Sequence, residues 1–152
     1  MNRGLDVVIL EDDPAVLGVL AAQVGRFYRH GEVHPFGDFL EARTFCFGRD
    51  SSLAIFVLDA FLGQYTAFDF LEAVAVHYPL AAEDTLIVTG RASDEVVNRC
   101  MAAGVNHLLE KPIKPYALQF AIRAIASKYL RFAKQITGDA ELARQVDGLR
   151  PA

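Results

Sequence analysis

Four short stretches hold the residues able to do chemistry together. They are Glu11, Asp12 and Asp13 after VVIL, Asp59 at the end of LAIFVLD, Thr89 at the end of TLIVT, and Lys111 after LLE. Clustered acids repel one another unless a cation sits among them, and hard carboxylate oxygens at this density suit Mg²⁺, which keeps several waters and binds phosphate oxygens. Asp59 stands out because a charge inside an apolar run is costly to bury unpaired. A carboxylate so placed can act as a nucleophile and form an acyl phosphate. Phosphoryl transfer then asks for a metal and for cationic or hydroxyl donors around the moving oxygens. The residue types supply each part: Asp59 as nucleophile, Asp12 and Asp59 as metal ligands with Glu11 assisting through water, Lys111 for the phosphoryl oxygens, and Thr89 as a hydroxyl donor. Taken singly, each has a plainer use. Asp12 or Asp13 can cap a helix, Thr89 can end a strand, and Lys111 can be a solvated loop charge. What favours the chemistry is their joint placement.

That placement comes from the elements around them. Apolar runs at 5–10, 53–58 and 85–89 are too short for helices and too continuously apolar for one-sided strands, so they read as central parallel strands. Weaker strands fit 32–36 and 105–109. Helical patterns lie between them at 14–28, 38–47, 68–77 and 93–103, and a long one runs from Pro115 to about Ile136. Pro14 and Pro115 suit first-turn positions, Ser93 suits an N-cap, and Gly104 and Gly138 suit helix ends. Strict alternation predicts an α/β fold with a parallel sheet covered on both faces. Ligands in such sheets bind beyond the carboxyl ends of the strands, where Glu11, Asp12, Asp59, Thr89 and Lys111 all fall.

Composition bounds the rest. A chain of 152 residues, 53% hydrophobic and 22% charged, predicts one domain with a large core rather than a disordered polymer. A net charge of -4 argues against nucleic-acid binding by bulk electrostatics. Cys46 and Cys100 have no metal-ligand spacing and read as buried thiols. With no leader or long apolar span in view, the expectation is a cytoplasmic protein that does not engage membrane. His30 and His34 are four apart, but Gly31 and the following strand pattern break any helical ligand face between them.

The segments VVILEDDPAV, IFVLDAF, LIVTG and LLEKPIKP, in that order, resemble the receiver domain of two-component response regulators over roughly residues 5 to 130. The resemblance implies a flavodoxin-like, doubly wound five-stranded parallel sheet in the order 2-1-3-4-5, with five helices and an extended C-terminal helix. It implies Asp59 as phosphoacceptor, and Mg²⁺ held by Glu11, Asp12, Asp59 and the backbone carbonyl of Phe61. Thr89 and Lys111 then bind phosphate, and the Lys111–Pro112 bond is cis. The implied partners are a histidine kinase or histidine phosphotransfer protein upstream and a protein partner or fused output domain downstream, with a homodimer as a further possibility. Such a protein is a signalling receiver that catalyses its own phosphorylation and dephosphorylation rather than an enzyme acting on other substrates. The face made by the fourth helix, fifth strand and fifth helix is the expected output surface. A receiver-like module used for docking or dimerisation without phosphorylation is the alternative. A phosphohydrolase of the haloacid dehalogenase type would carry a second aspartate where Phe61 stands.

Several positions depart from the family pattern. Leu108 stands where the family places Tyr or Phe, three residues before the lysine, and neighbouring His107 should point to the opposite side of its strand. The loop AFLGQYTAFDF, with Gly63 and Ala67 at positions commonly proline and glycine, should be differently shaped and more mobile. Asp13, Phe61, Arg91, Leu108 and Pro112 are expected to modulate the site: Phe61 by shielding the phosphoryl group, Arg91 by contacting it. Residues 1–130 form the expected receiver domain, and 131–152 a helical extension or the start of a linker. Ile122, Ile125, Tyr129, Phe132 and Ile136 recur at helical spacing and suit core or dimer packing, whereas Arg123, Lys128, Arg131 and Lys134 read as a solvated charged face. GDAELARQVDGL suits a further short helix.

Overall fold

The computed structural model describes residues 4–138 and 144–145, and the expected short helix after Gly138 lies mostly outside them. The chain runs β1 (Val7–Leu10), α1 (Pro14–Phe27), β2 (Val33–Phe36), α2 (Phe39–Phe47), β3 (Ile55–Asp59), then a small hairpin β4 (Phe61–Leu62) and β5 (Tyr65–Thr66). It continues through α3 (Ala67–Val74), β6 (Thr85–Thr89), α4 (Asp94–Ala103), β7 (His107–Glu110) and α5 (Pro115–Gly138). The main sheet is five-stranded and parallel in the order β2-β1-β3-β6-β7, which is 2-1-3-4-5 once the hairpin is set aside. This is the doubly wound flavodoxin-like architecture.

Strands β1, β3 and β6 are buried along their whole length, which is why they read as unbroken apolar runs. Alternate residues serve opposite faces. Val8, Leu10, Phe56 and Leu58 pack with Phe70, Val74 and Cys100 under α2, α3 and α4, whereas Val7, Ile9, Ile55 and Val57 pack with Leu20, Leu118 and Ile122 under α1 and α5. Pro35 sits in edge strand β2, where its missing N–H costs no ladder bond on the open side.

Local signals end the elements where expected. Asp13 caps α1 by accepting from the N–H groups of Ala15 and Val16, with Pro14 opening the helix. Asp38 and Ser93 cap α2 and α4, and Gly104 closes α4 in the left-handed region at φ 81°.

The segment after Asp59 takes the shape of a small hairpin, with Tyr65 stacked on Phe39. One expectation needs correction. Lys128 is not part of a solvated face: its ammonium bonds the buried Asp84 carboxylate at 2.6 Å, and the Tyr129 hydroxyl donates to the other oxygen. Beyond Tyr129 the apolar stripe turns outward, with Leu130 and Phe132 about half exposed. Among the described residues no helix is long and apolar enough to cross a membrane.

Candidate functional site

Parallel strands bring their carboxyl ends to one edge, so Leu10, Asp59, Thr89 and Glu110 deliver the residues that follow them to a common rim. Glu11 continues β1 and is 1% exposed; Asp59 ends β3 and is 9% exposed. Two acids buried this deeply need a counter-charge. Lys111 supplies it from the turn after β7, donating to Glu11 Oε1 at 2.6 Å and to Asp59 Oδ2 at 3.0 Å. Asp59 Oδ1 accepts the Phe61 N–H at 3.2 Å. The Lys111–Pro112 peptide bond is cis.

Burial pushes the Glu11 carboxyl up to about 7, and the neighbouring Asp59 carboxyl adds to the rise against the opposing pull of Lys111. Burial alone would lower the Lys111 ammonium, but its bonds to Glu11 and Asp59 outweigh that and hold it above its ordinary value. The pocket thus keeps the Lys111 cation and disfavours ionisation of Glu11.

Carboxylate oxygens from Glu11, Asp12 and Asp59 lie within 4.8 Å of one another, and Glu11 Oε2 is buried with no hydrogen-bond partner among the described residues. An unsatisfied buried oxygen beside two further carboxylates fits a hard divalent cation such as Mg²⁺. A second group, Asp6, Glu32 and His34, has similar spacing at the opposite edge of the sheet. There Asp6 is satisfied by the Glu32 N–H, His34 and Arg49, which leaves a cation no free oxygen on it.

The other anticipated residues take varied places. Thr89 is fully buried at the end of β6, and its hydroxyl donates to the Arg91 carbonyl at 3.1 Å rather than towards Asp59. Asp13 is exposed and occupied as a helix cap. Phe61 is 54% exposed, Arg91 and Pro112 are exposed, and Leu108 packs against the core beneath α3 and α4. His107 is partly buried, and burial together with Lys128 holds its imidazole below the usual value. Sequence reasoning missed the pairing of Tyr65 with Phe39 and that of Asp84 with Lys128 and Tyr129. Asp84 directly precedes an apolar strand and was open to the same burial argument as Asp59.

This arrangement of strands and helices recurs in solved proteins. Chemotaxis protein CheY4 of Vibrio cholerae superimposes with a TM-score of 0.69 at 20% identity, over 81% of this chain and 99% of that one. A response regulator receiver domain protein of Clostridium thermocellum gives 0.72 at 17% identity, over 84% and 98%. The chain has the receiver-domain fold. A third relative of that fold, the beryllofluoride-activated NtrC4 receiver domain, a dimer in solution, gives 0.68 at 18% identity, over 82% and 98%. No family model matches the sequence, and no curated protein does. At these identities the receiver fold is shared in shape, and the argument for chemistry rests on the residues themselves.

Proposed function

We propose that this protein is a phosphoacceptor receiver of a two-component phosphorelay, taking a phosphoryl group on Asp59 from a histidine kinase or histidine phosphotransfer protein. The observation that carries the reading is Lys111 bridging two buried acids, Glu11 and Asp59, at the carboxyl edge of a receiver-type sheet. An ion pair needs only one acid beside Lys111, whereas a second buried acid, with Asp12 near, makes a carboxylate group suited to a divalent cation that would join Lys111 in neutralising an incoming phosphoryl group.

Glu11, Asp12, Asp59 and the carbonyl of Phe61 would hold Mg²⁺. Bound there, the ion neutralises phosphoryl oxygens during transfer. An Asp59 oxygen attacks phosphorus, the new O–P bond forms as the N–P bond breaks, and the electron pair returns to the donor histidine. Lys111, already in contact with Asp59, pairs with a phosphoryl oxygen, and the Thr89 hydroxyl turns from Arg91 to bond another. That turn removes the Thr89 bond that shapes the loop at 90–92, where Ala92 N–H also donates to Glu110 Oε2 at 2.7 Å. The face of α4, β7 and α5, with exposed Val97, Met101, Tyr116 and Phe120, receives the change.

Incubation with Mg²⁺ and phosphoramidate or acetyl phosphate tests this. One phosphoryl group should appear by intact mass, and none in Asp59→Asn or without Mg²⁺. An unlabelled parent chain overturns the proposal.

Leu108, aliphatic, partly buried and packed against the core, favours a second reading: a docking or dimerisation module whose interactions ignore phosphorylation. Equal partner affinity with and without beryllofluoride would select it.

A further inference from the structure

We infer that Tyr65 is a positioning residue for Asp59, acting through the hairpin that follows it, an inference that rests on the phosphoacceptor reading above. The Phe61 N–H is the donor on Asp59 Oδ1, and Phe61 is also the first residue of β4. Its place is therefore set by the hairpin. Phe61 pairs with Thr66 and Leu62 with Tyr65, around a turn in which Gly63 takes φ 67°. Positive φ at the first turn residue alone is the pattern of a type II′ hairpin, and the glycine allows it without strain. The base is closed by the Ala67 N–H on the Ala60 carbonyl at 3.0 Å and by the reciprocal capping of Thr66 and Asp69.

Strands of two residues do not hold a hairpin in water by themselves, so the order must come from contacts with the body. On β4, Leu62 is buried in the core, whereas Phe61 is half exposed. On β5 the anchor is Tyr65. Its ring stacks on Phe39 with centroids 4.1 Å apart and planes 15° from parallel. Phe39 is itself fixed: it is 7% exposed at the start of α2 and meets Phe70 edge to face at 5.4 Å. The path is thus continuous from the α2–α3 core through Phe39 and Tyr65 to the hairpin, the Phe61 N–H and the acceptor oxygen. Without the stack, the Ala60–Ala67 bond and buried Leu62 still tether the hairpin, but β5 loses its ring anchor and the Phe61 N–H is held less firmly beside Asp59 Oδ1.

The ring is what matters, so Tyr65→Phe should behave as the parent and Tyr65→Ala should not. The measurements are the Mg²⁺ dissociation constant, followed by ¹⁵N–¹H NMR of the full chain, and hydrogen exchange of the Phe61 amide. Tyr65→Ala should bind Mg²⁺ about threefold to tenfold more weakly and exchange the Phe61 amide faster, with Tyr65→Phe within about twofold of the parent on both. Tyr65→Leu keeps apolar volume without stacking and should shift the same way; it serves if Tyr65→Ala fails to fold. Parent-like Mg²⁺ affinity and exchange in either folded variant overturns the positioning role while leaving the acceptor reading intact. A parent chain that neither binds Mg²⁺ nor accepts phosphoramidate overturns both.

Discussion

Lys111 lies closer to Glu11 than to Asp59, 2.6 Å against 3.0 Å, so its shorter bond is to the acid not expected to carry the phosphoryl group. Glu11 is the more deeply buried of the two, and the ammonium is drawn to the charge that water helps least. Transfer to Asp59 therefore keeps one partner of Lys111 in place.

Replacing that ammonium is the sharpest test of the site. Lys111→Met should lower the rate of Asp59 labelling by phosphoramidate about 100-fold, the scale seen when one preorganised charge-stabilising donor is lost. Initial rates at saturating Mg²⁺ measure it, and a rate within about threefold of the parent would remove Lys111 from the chemistry.

The raised Glu11 carboxyl makes a pH prediction for Mg²⁺-free buffer. Its folded value of about 7 lies above the ordinary value of 4.5. The folded state therefore holds a proton that the unfolded chain releases, and this contribution to stability is fully present below 4.5 and lost as pH rises through about 7. Urea midpoints of the parent should fall relative to those of Glu11→Gln between pH 5 and 8, written as a difference so that other groups cancel. Added Mg²⁺ should shrink that difference.

At the opposite edge, Asp84 ties β6 to the C-terminal half of α5 through Lys128 and Tyr129. Tyr129→Phe removes one of two partners from a carboxylate 1% exposed and should cost about 1–2 kcal/mol in urea unfolding. Hydrogen exchange should quicken in α5 after Ala126 and not before it. An unchanged midpoint would mean that Lys128 alone suffices.

Gly31 permits the entry to β2. A Cβ there would lie 2.4 Å from the Leu5 carbonyl oxygen and 2.7 Å from an Asp6 carboxylate oxygen. The backbone atom cannot yield cheaply, so Gly31→Ala should destabilise the protein by about 2 kcal/mol or more. Gly18→Ala, on a helix with open space around that Cβ, is the matched control and should be neutral or stabilising.

Most of the fold was legible because strands buried on both faces read as short apolar runs and caps mark helix starts locally, as Asp38 and Ser93 do. The edge strands were less so. β7 begins at His107 rather than Val105, since an edge strand of partly buried residues leaves a weaker pattern. The hairpin leaves no such mark, because nothing local announces that Tyr65 will meet Phe39.

The sequence by itself determined which residues reach the carboxyl edge, since chain order and alternation place Glu11, Asp12, Asp59, Thr89 and Lys111 there without knowledge of any contact. The tertiary structure decided how those side chains are spent: Lys111 on Glu11 before Asp59, the Thr89 hydroxyl on its own loop, Asp13 on a helix cap, and Lys128 on Asp84. Pairs such as Lys111 with Glu11 meet only after the sheet assembles. Their geometry follows from rotamers selected by the surrounding packing, and that selection has no periodicity for a sequence to display.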